Sequence, residues 1–249
     1  MNTVPRPGLE IRMNDGIHAA ASSMAASMAQ LEIATSNAVH ASTPGYIARG
    51  LSVRSFETAL DRELGREASL IRVEESTRFA PGVITTSTSP LAAAIRGEGF
   101  FVVDTPQGEA YTRNGDFMLD ADGVLTTRAG YPVQGANGQL RAQPGAGAVE
   151  IRDGGILVQG GQVLGSLRLV DFADKQALER SAETLFMNRT GQRATTPEAS
   201  SVKGRVLELP AEKGVAGLVG LIAANREFES AQRVISTLNK SYEKLVGRG

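Results

Sequence analysis

Cysteine and tryptophan are both absent from the 249 residues, and histidine occurs twice, as His18 and His40. Without cysteine there is no disulfide and no thiolate-bound metal, and the compartment stays open, because a protein outside the cytoplasm can do without either. The two histidines fall 22 positions apart in one predicted helix, about 33 Å at ~1.5 Å per residue, so they cannot share a metal within one chain. Nor can a Ser-His-acid constellation be assembled from inside one exposed helix. Aromatics are only 5%, which argues against a surface that stacks on sugar rings. Charge of one sign is missing too: 26 Lys+Arg stand against 27 Asp+Glu, a formal net charge of -1. Nothing here favours nucleic acid or an acidic membrane surface. No apolar run approaches the ~20 residues that span a bilayer, so no membrane insertion is expected. Ser22, Ser23 and Ser27 break up Ala19 to Ala29 too often for a secretory h-region. If the chain leaves the cytoplasm, it does so without a cleaved signal of the usual kind.

The usual ligand signatures are incomplete. Gly97-Glu98-Gly99 precedes a predicted strand and Gly135-Ala136-Asn137-Gly138 lies in a predicted loop, so neither opens a helix, and no Gly-Lys-Ser/Thr triplet occurs. Asp120-Ala121-Asp122-Gly123 imitates the start of a calcium loop but lacks the third acid and the distal glutamate. A hairpin turn is the simpler reading. No catalytic residue, cofactor, metal or small-molecule substrate is therefore expected.

What the sequence does contain is a heptad-like stripe at each end. Stepping by four and three from Ile17 gives Ala21, Met24, Met28, Leu31, Thr35 and Ala38, with only Thr35 polar. From Leu221 the same stepping gives Ala224, Phe228, Ala231, Ile235, Leu238, Tyr242 and Leu245. Such spacing keeps one stripe of a helix turned toward a partner helix, which could be the other terminus, another copy, or both. An ordinary antiparallel hairpin on a monomer is the alternative. Against it, ordering a residue costs ~1 to 2 kcal/mol while small side chains bury few CH₂ groups at ~0.8 kcal/mol each. Small residues suit close packing of several helices. Asn14 and Asp15 are candidate caps ahead of Ile17, and Met1 to Arg12, with Pro5, Pro7 and Gly8, carries no periodicity. Residues 1–16 are expected to be a disordered leader, and a chain starting at Met13 is expected to assemble.

Between the ends the text is β. The predicted helix 17–41 stops at Ser42-Thr43-Pro44-Gly45. In the connecting segment 42–68 a short helix is possible, from Val53, Phe56, Leu60 and Leu64. A β-rich body follows over 69–209: strand, turn and strand from Ser69 to Ser89, strands at Phe100 to Val103 and Ala110 to Thr112, and a meander with turns at Asn114-Gly115 and Asp122-Gly123. Gly135 to Gly147 reads as a loop, Val202 to Leu209 as one last strand, and Pro210 stands near the start of a C-terminal helix over 210–249. The fold class is α+β, a mainly-β central domain of short strands and hairpins flanked by coiled-coil-forming helices.

Three motifs in this order carry a resemblance. Ala34-Thr35-Ser36-Asn37-Ala38-Val39-His40-Ala41-Ser42 leads into the turn Thr43-Pro44-Gly45-Tyr46. Gly97-Glu98-Gly99-Phe100-Phe101-Val102-Val103 is followed by Tyr111-Thr112-Arg113-Asn114-Gly115-Asp116-Phe117, Asp120 to Gly123, and Gly130-Tyr131-Pro132-Val133. Leu221-Ile222-Ala223-Ala224-Asn225-Arg226-Glu227-Phe228-Glu229 opens the C-terminal helix. Together they resemble the axial rod and hook proteins of the bacterial flagellum. The length and Gly165-Ser166-Leu167-Arg168-Leu169-Val170 point within that family to a proximal rod subunit, with a distal one as the alternative. Two departures stand out: Leu209 to Gly214 replaces a Ser-Asn-Val element before the last helix, and His40-Ala41 replaces a Leu-Ala-Asn type ending. The resemblance implies a non-catalytic subunit exported through the flagellar type III apparatus. It would assemble in the periplasm with other rod subunits and copies of itself, through its terminal helices, to transmit torque from motor to hook. The rival from another class is a secreted β-rich binding or adhesion module.

Overall fold

The computed structural model describes residues 7–57, 69–211 and 214–246, which divide into two compact units. The first is made from the ends of the chain. Helix α1 (Pro7–Val39) packs along helix α2 (Gly214–Val246) and against β1 (Arg49–Glu57), which pairs with β2 (Ser69–Thr77) in a two-stranded sheet.

Three sequence expectations change here. Asn14 and Asp15 do not cap α1 but lie inside it, because the helix opens at Pro7. Proline suits a first helical position: the N–H it lacks would have no intrahelical partner there, and its φ is already near the helical value. Of the expected leader, residues 7–16 are thus helical and 1–6 lie outside the described residues. The short helix over Val53 and Phe56 is replaced by β1, while Leu60 and Leu64 fall outside the description. Leu51 and Val53 also fit a period of two, and with β2 alongside to accept its hydrogen bonds the strand wins. Pro210 is buried ahead of α2 and does not open it, since the helix starts at Gly214.

The second unit is the β body, whose described part covers 40–48 and 77–211. It begins with β3 (Val83–Thr86) and β4 (Ala93–Arg96), followed by the hairpin of β5 (Phe100–Thr105) and β6 (Gly108–Thr112), in register Phe101 with Thr112 and Val103 with Ala110. Strands β7 (Phe117–Leu119) and β8 (Leu125–Thr127) pair across the Asp122-Gly123 turn. There the Asp120 carboxylate accepts from the N–H groups of Asp122 at 2.9 Å and Val124 at 2.8 Å, so it closes a turn. The expected glycine-rich loop carries a small pair, β9 (Gln134–Gly135) and β10 (Gly138–Gln139). A three-stranded antiparallel sheet follows from β11 (Val149–Arg152), β12 (Ile156–Gln159) and β13 (Gln162–Ser166). With β14 (Leu169–Val170), β15 (Glu179–Arg180) and β16 (Phe186–Met187), the first hairpin completes a five-stranded sheet in the order β14-β5-β6-β16-β15.

That sheet is covered on both faces, which is why β5 reads as the unbroken run Phe-Phe-Val-Val. Its alternate side chains enter two different cores. Phe101 and Val103 join Ile95, Phe117, Leu125 and Leu157, while Phe100 and Val102 join Ile47, Tyr111, Phe172 and Phe186.

The single strand expected over Val202 to Leu209 is two strands, β17 (Ser201–Gly204) on β4 and β18 (Val206–Leu209) on β3. Between them Arg205 takes φ 57, the one positive φ outside glycine among the described residues. That conformation costs ~1 to 2 kcal/mol for an L-residue. Its N–H donates to the Ala92 carbonyl at 2.8 Å and its carbonyl accepts from Ser87 at 2.9 Å, so the kink lets one segment serve two partners. The segment Ser69 to Ser89 likewise contains two strands that do not pair with each other, since β2 pairs with β1 and β3 with β18.

Candidate assembly surfaces and the buttressed turn

In α2 the covered positions step by three and four. Among side chains described from Val219 to Thr237, Leu221, Phe228, Ala231 and Ile235 are half-buried, Ala224 is fully buried, and all the rest are exposed. These are the described members of the predicted stripe. In α1 the predicted stripe is split. Met24, Leu31 and Ala38 are half-buried, Met28 is 54% exposed and Thr35 is exposed, while the buried positions are Ser27 and Ile33. The side chains of Ile17, His18, Ala21, Leu238, Tyr242 and Leu245 lie outside the description. Ile33 went unnoticed in the sequence because it sits off the four-three step. Asn37 explains the offset, donating from Nδ2 to the Arg49 carbonyl and accepting the Arg49 N–H on Oδ1, both at 2.9 Å, which turns this side of α1 toward β1.

Within the β body the Thr43 to Tyr46 turn and the central motif meet. Gly45 has φ +65, and a Cβ there would stand 2.0 Å from the Asn114 nitrogen, so only glycine fits both the left-handed backbone and the close approach. Its N–H donates to the Glu208 carbonyl at 2.8 Å. Gly115 is held as tightly, since a Cβ would lie 1.6 Å from the Ala93 carbonyl oxygen. Asn114 shapes this corner by accepting the Asp116 N–H on Oδ1 at 2.9 Å. The corner joins strands of different pairs, where a tight hairpin was expected.

Beneath the turn lies a buried ion pair that sequence reading missed. Arg113 Nε donates to Glu208 Oε2 at 2.8 Å, and its Nη atoms donate to the carbonyls of Gly99 and Gly97, each at 3.0 Å. Glu208 Oε1 accepts the Gly82 N–H at 2.8 Å. With arginine and glutamate 8% and 5% exposed, the pair is sealed from water and nearly every polar atom is used. The signal was present: Glu208 stands in phase with the inward-facing Val202 and Val206.

On the turn's other side, His40 stacks on Tyr46 with centroids 4.8 Å apart, and Arg180 lies over both Tyr46, at 5.4 Å, and Phe186, at 4.7 Å. Arg180 Nη2 also donates to the Ile47 carbonyl at 2.6 Å, and His40 Nε2 sits 3.4 Å from a Glu183 carboxylate oxygen. A cleft of about 140 Å³ is bounded by Gly45, Ile47, Arg78 and Leu209, below the ~300 Å³ at which small-molecule sites begin. His40, Gly97, Gly99, Asn114 and Gly115 are thus occupied in holding the body together, as are Phe100 and Phe101 in its two cores. Among the described residues no group of three or more His, Asp or Glu is gathered to hold a metal, and no helix is long and apolar enough to cross a membrane.

Residues 94–159, which contain the central motif, match the family model described as the flagellar hook protein FlgE/F/G D1 domain. The chain is 31% identical over 246 residues to the flagellar basal-body rod protein FlgF of Rhizobium meliloti, covering 94% of this chain and 99% of the relative. FlgF of Caulobacter vibrioides is 27% identical over 226 residues, 88% of this chain and 92% of the relative. The rod protein FlgG of Bacillus subtilis is 31% identical over a shorter 172 residues, 63% of this chain and 64% of the relative. With 31% identity over 94% of this chain and 99% of a rod-protein relative, and the central motif inside the matched family model, the chain belongs to the flagellar basal-body rod proteins and is FlgF-like.

Proposed function

We propose that this chain is a non-catalytic structural subunit of the proximal part of the flagellar basal-body rod, exported through the flagellar type III apparatus. In the periplasm it assembles with other rod subunits and with its own copies, and the rod transmits torque from motor to hook. The observation that carries the assembly step is the form of the two helices. Helix α2 has one covered stripe and α1 is covered over most of its circumference, yet both carry exposed apolar side chains, Met28 and Val39 on α1 and Val219, Ile222 and Val234 on α2. One intrachain pairing leaves these uncovered, and further helices would cover them. FlgF relatives aligning along almost the whole chain, against 63% for FlgG of Bacillus subtilis, support the proximal over the distal position.

The test places Phe228→Asp or Ile235→Asp in the native chain. A carboxylate in the covered stripe faces a desolvation cost of several kcal/mol. Cells should make the variant with an intact β body yet lack complete basal bodies and fail to swim. Normal swimming with either change would show that the covered stripe of α2 is not needed for assembly.

A further inference from the structure

Resting on the reading of α1 and α2 as assembly elements, we propose that the outward stripe of α1 in one copy docks on the outward face of α2 in a second copy, with Glu32 set against Arg226. Both surfaces are continuous. On α1, Ala25, Met28, Glu32, Thr35 and Val39 step by three and four and are all exposed, Met28 by 54% and Val39 by 68%. On α2, the side opposite Phe228 carries Val219, Ala223, Arg226, Ser230 and Arg233 at the same stepping, all exposed, flanked by Ile222 and Val234. At 3.6 residues per turn each set is one narrow stripe.

Charge says what covers them. The α1 stripe has one charged residue, an acid, and the α2 stripe has two, both arginines. Among the described residues neither Glu32 nor Arg226 has an ion-pair partner, whereas Arg233 lies 3.9 Å from its own Glu229. The spacings agree as well. Met28 to Val39 and Ala223 to Val234 are both eleven positions, about 16 Å along a helix. With the helices running parallel, Met28 meets Ala223 and Val39 meets Val234 at the two limits of the contact, and Glu32 falls one position from Arg226. Ala25, Ala223 and Ser230 keep the approach close. The two faces differ, so each copy can offer its α1 stripe to one neighbour and its α2 face to the next, which lets the contact propagate from copy to copy.

The test is sedimentation velocity of the purified full chain over a concentration series. The unaltered chain should associate as concentration rises, and added salt should weaken it. Glu32→Arg and Arg226→Glu should each raise the association midpoint about tenfold, Glu32→Gln should raise it less, and the double reversal should return toward the unaltered value. Unchanged helicity by circular dichroism excludes misfolding as the cause. The proposal is overturned if either single reversal leaves the midpoint where it was, or if the double variant is no better than the singles. It is also overturned if the unaltered chain stays monomeric throughout. A monomeric chain whose Phe228→Asp variant still abolishes basal bodies would leave the rod role standing and remove only this contact.

Discussion

Residues of the body respond to substitution and to pH in ways their surroundings dictate. At Gly45 an added methyl must both enter the left-handed region and displace the Asn114 backbone. At Gly130 the backbone is also left-handed, φ +83, but no atom stands within 4 Å of the missing Cβ. Gly130→Ala should therefore lose only ~1 kcal/mol from the backbone term, and Gly45→Ala ~3 kcal/mol or more because packed backbone has to move. Urea midpoints of the two variants decide it, and equal losses would deny the close approach. Tyr111 concerns pH. Burial first, and then the Glu109 carboxylate accepting its hydroxyl proton at 3.3 Å, raise the phenol above its ordinary value, with Arg168 opposing. A raised value means the folded state holds the proton more tightly. The stabilisation is complete below the unfolded-state value of ~10 and is lost as pH climbs through the folded one. The late phase of a phenol absorbance titration should disappear in Tyr111→Phe, whose stability should also fall less steeply above about pH 10. A late phase that persists would assign the shift to another group.

Strands and helices were legible in proportion to how locally their cause lies. The short apolar run of β5, the Asp122-Gly123 turn and the described part of the α2 stripe depend on neighbours within a few residues, and each stands where the pattern places it. The failures share one cause, a distant partner. Val53 and Phe56 are strand because β2 lies alongside. Val202 to Leu209 breaks at Arg205 because β4 and β3 each claim half of it. Arg113 and Glu208 are 95 positions apart, so no local window links them. Removing one partner strands the other as a buried charge, and Arg113→Met should lose ~3 to 5 kcal/mol. Arg113→Met with Glu208→Leu should lose less than Arg113→Met alone, because no unpaired carboxylate remains. Chemical denaturation of the two variants tests this, and a larger loss in the double variant would show that the pair's remaining partners dominate.

At the scale of the molecule, the division into two units moves a boundary. Residues 69–76 read as the start of the β body, yet β2 pairs with β1 in the unit of the terminal helices. Limited proteolysis of dilute protein should cut within 49–76 and beyond Leu209 and leave a fragment starting near Thr77 that retains the 40–48 segment, because the helices rely on partners a lone chain lacks and helices are marginal in water by themselves. A fragment that begins at Ser69, or helices that survive intact at low concentration, would contradict the division. Sequence alone settled the layout of helical ends around a turn-rich β middle, because hydrophobic periodicity and turn chemistry act over a few residues. Through its ordered motifs it also settled the family. Only the tertiary structure decided that α1 opens at Pro7, that its buried residues are Ser27 and Ile33, that one C-terminal strand is two, and that Arg113 and Glu208 meet under the Gly45 turn. Each of these is fixed by which surface lies opposite. That depends on the whole chain's packing, which no short stretch of sequence contains.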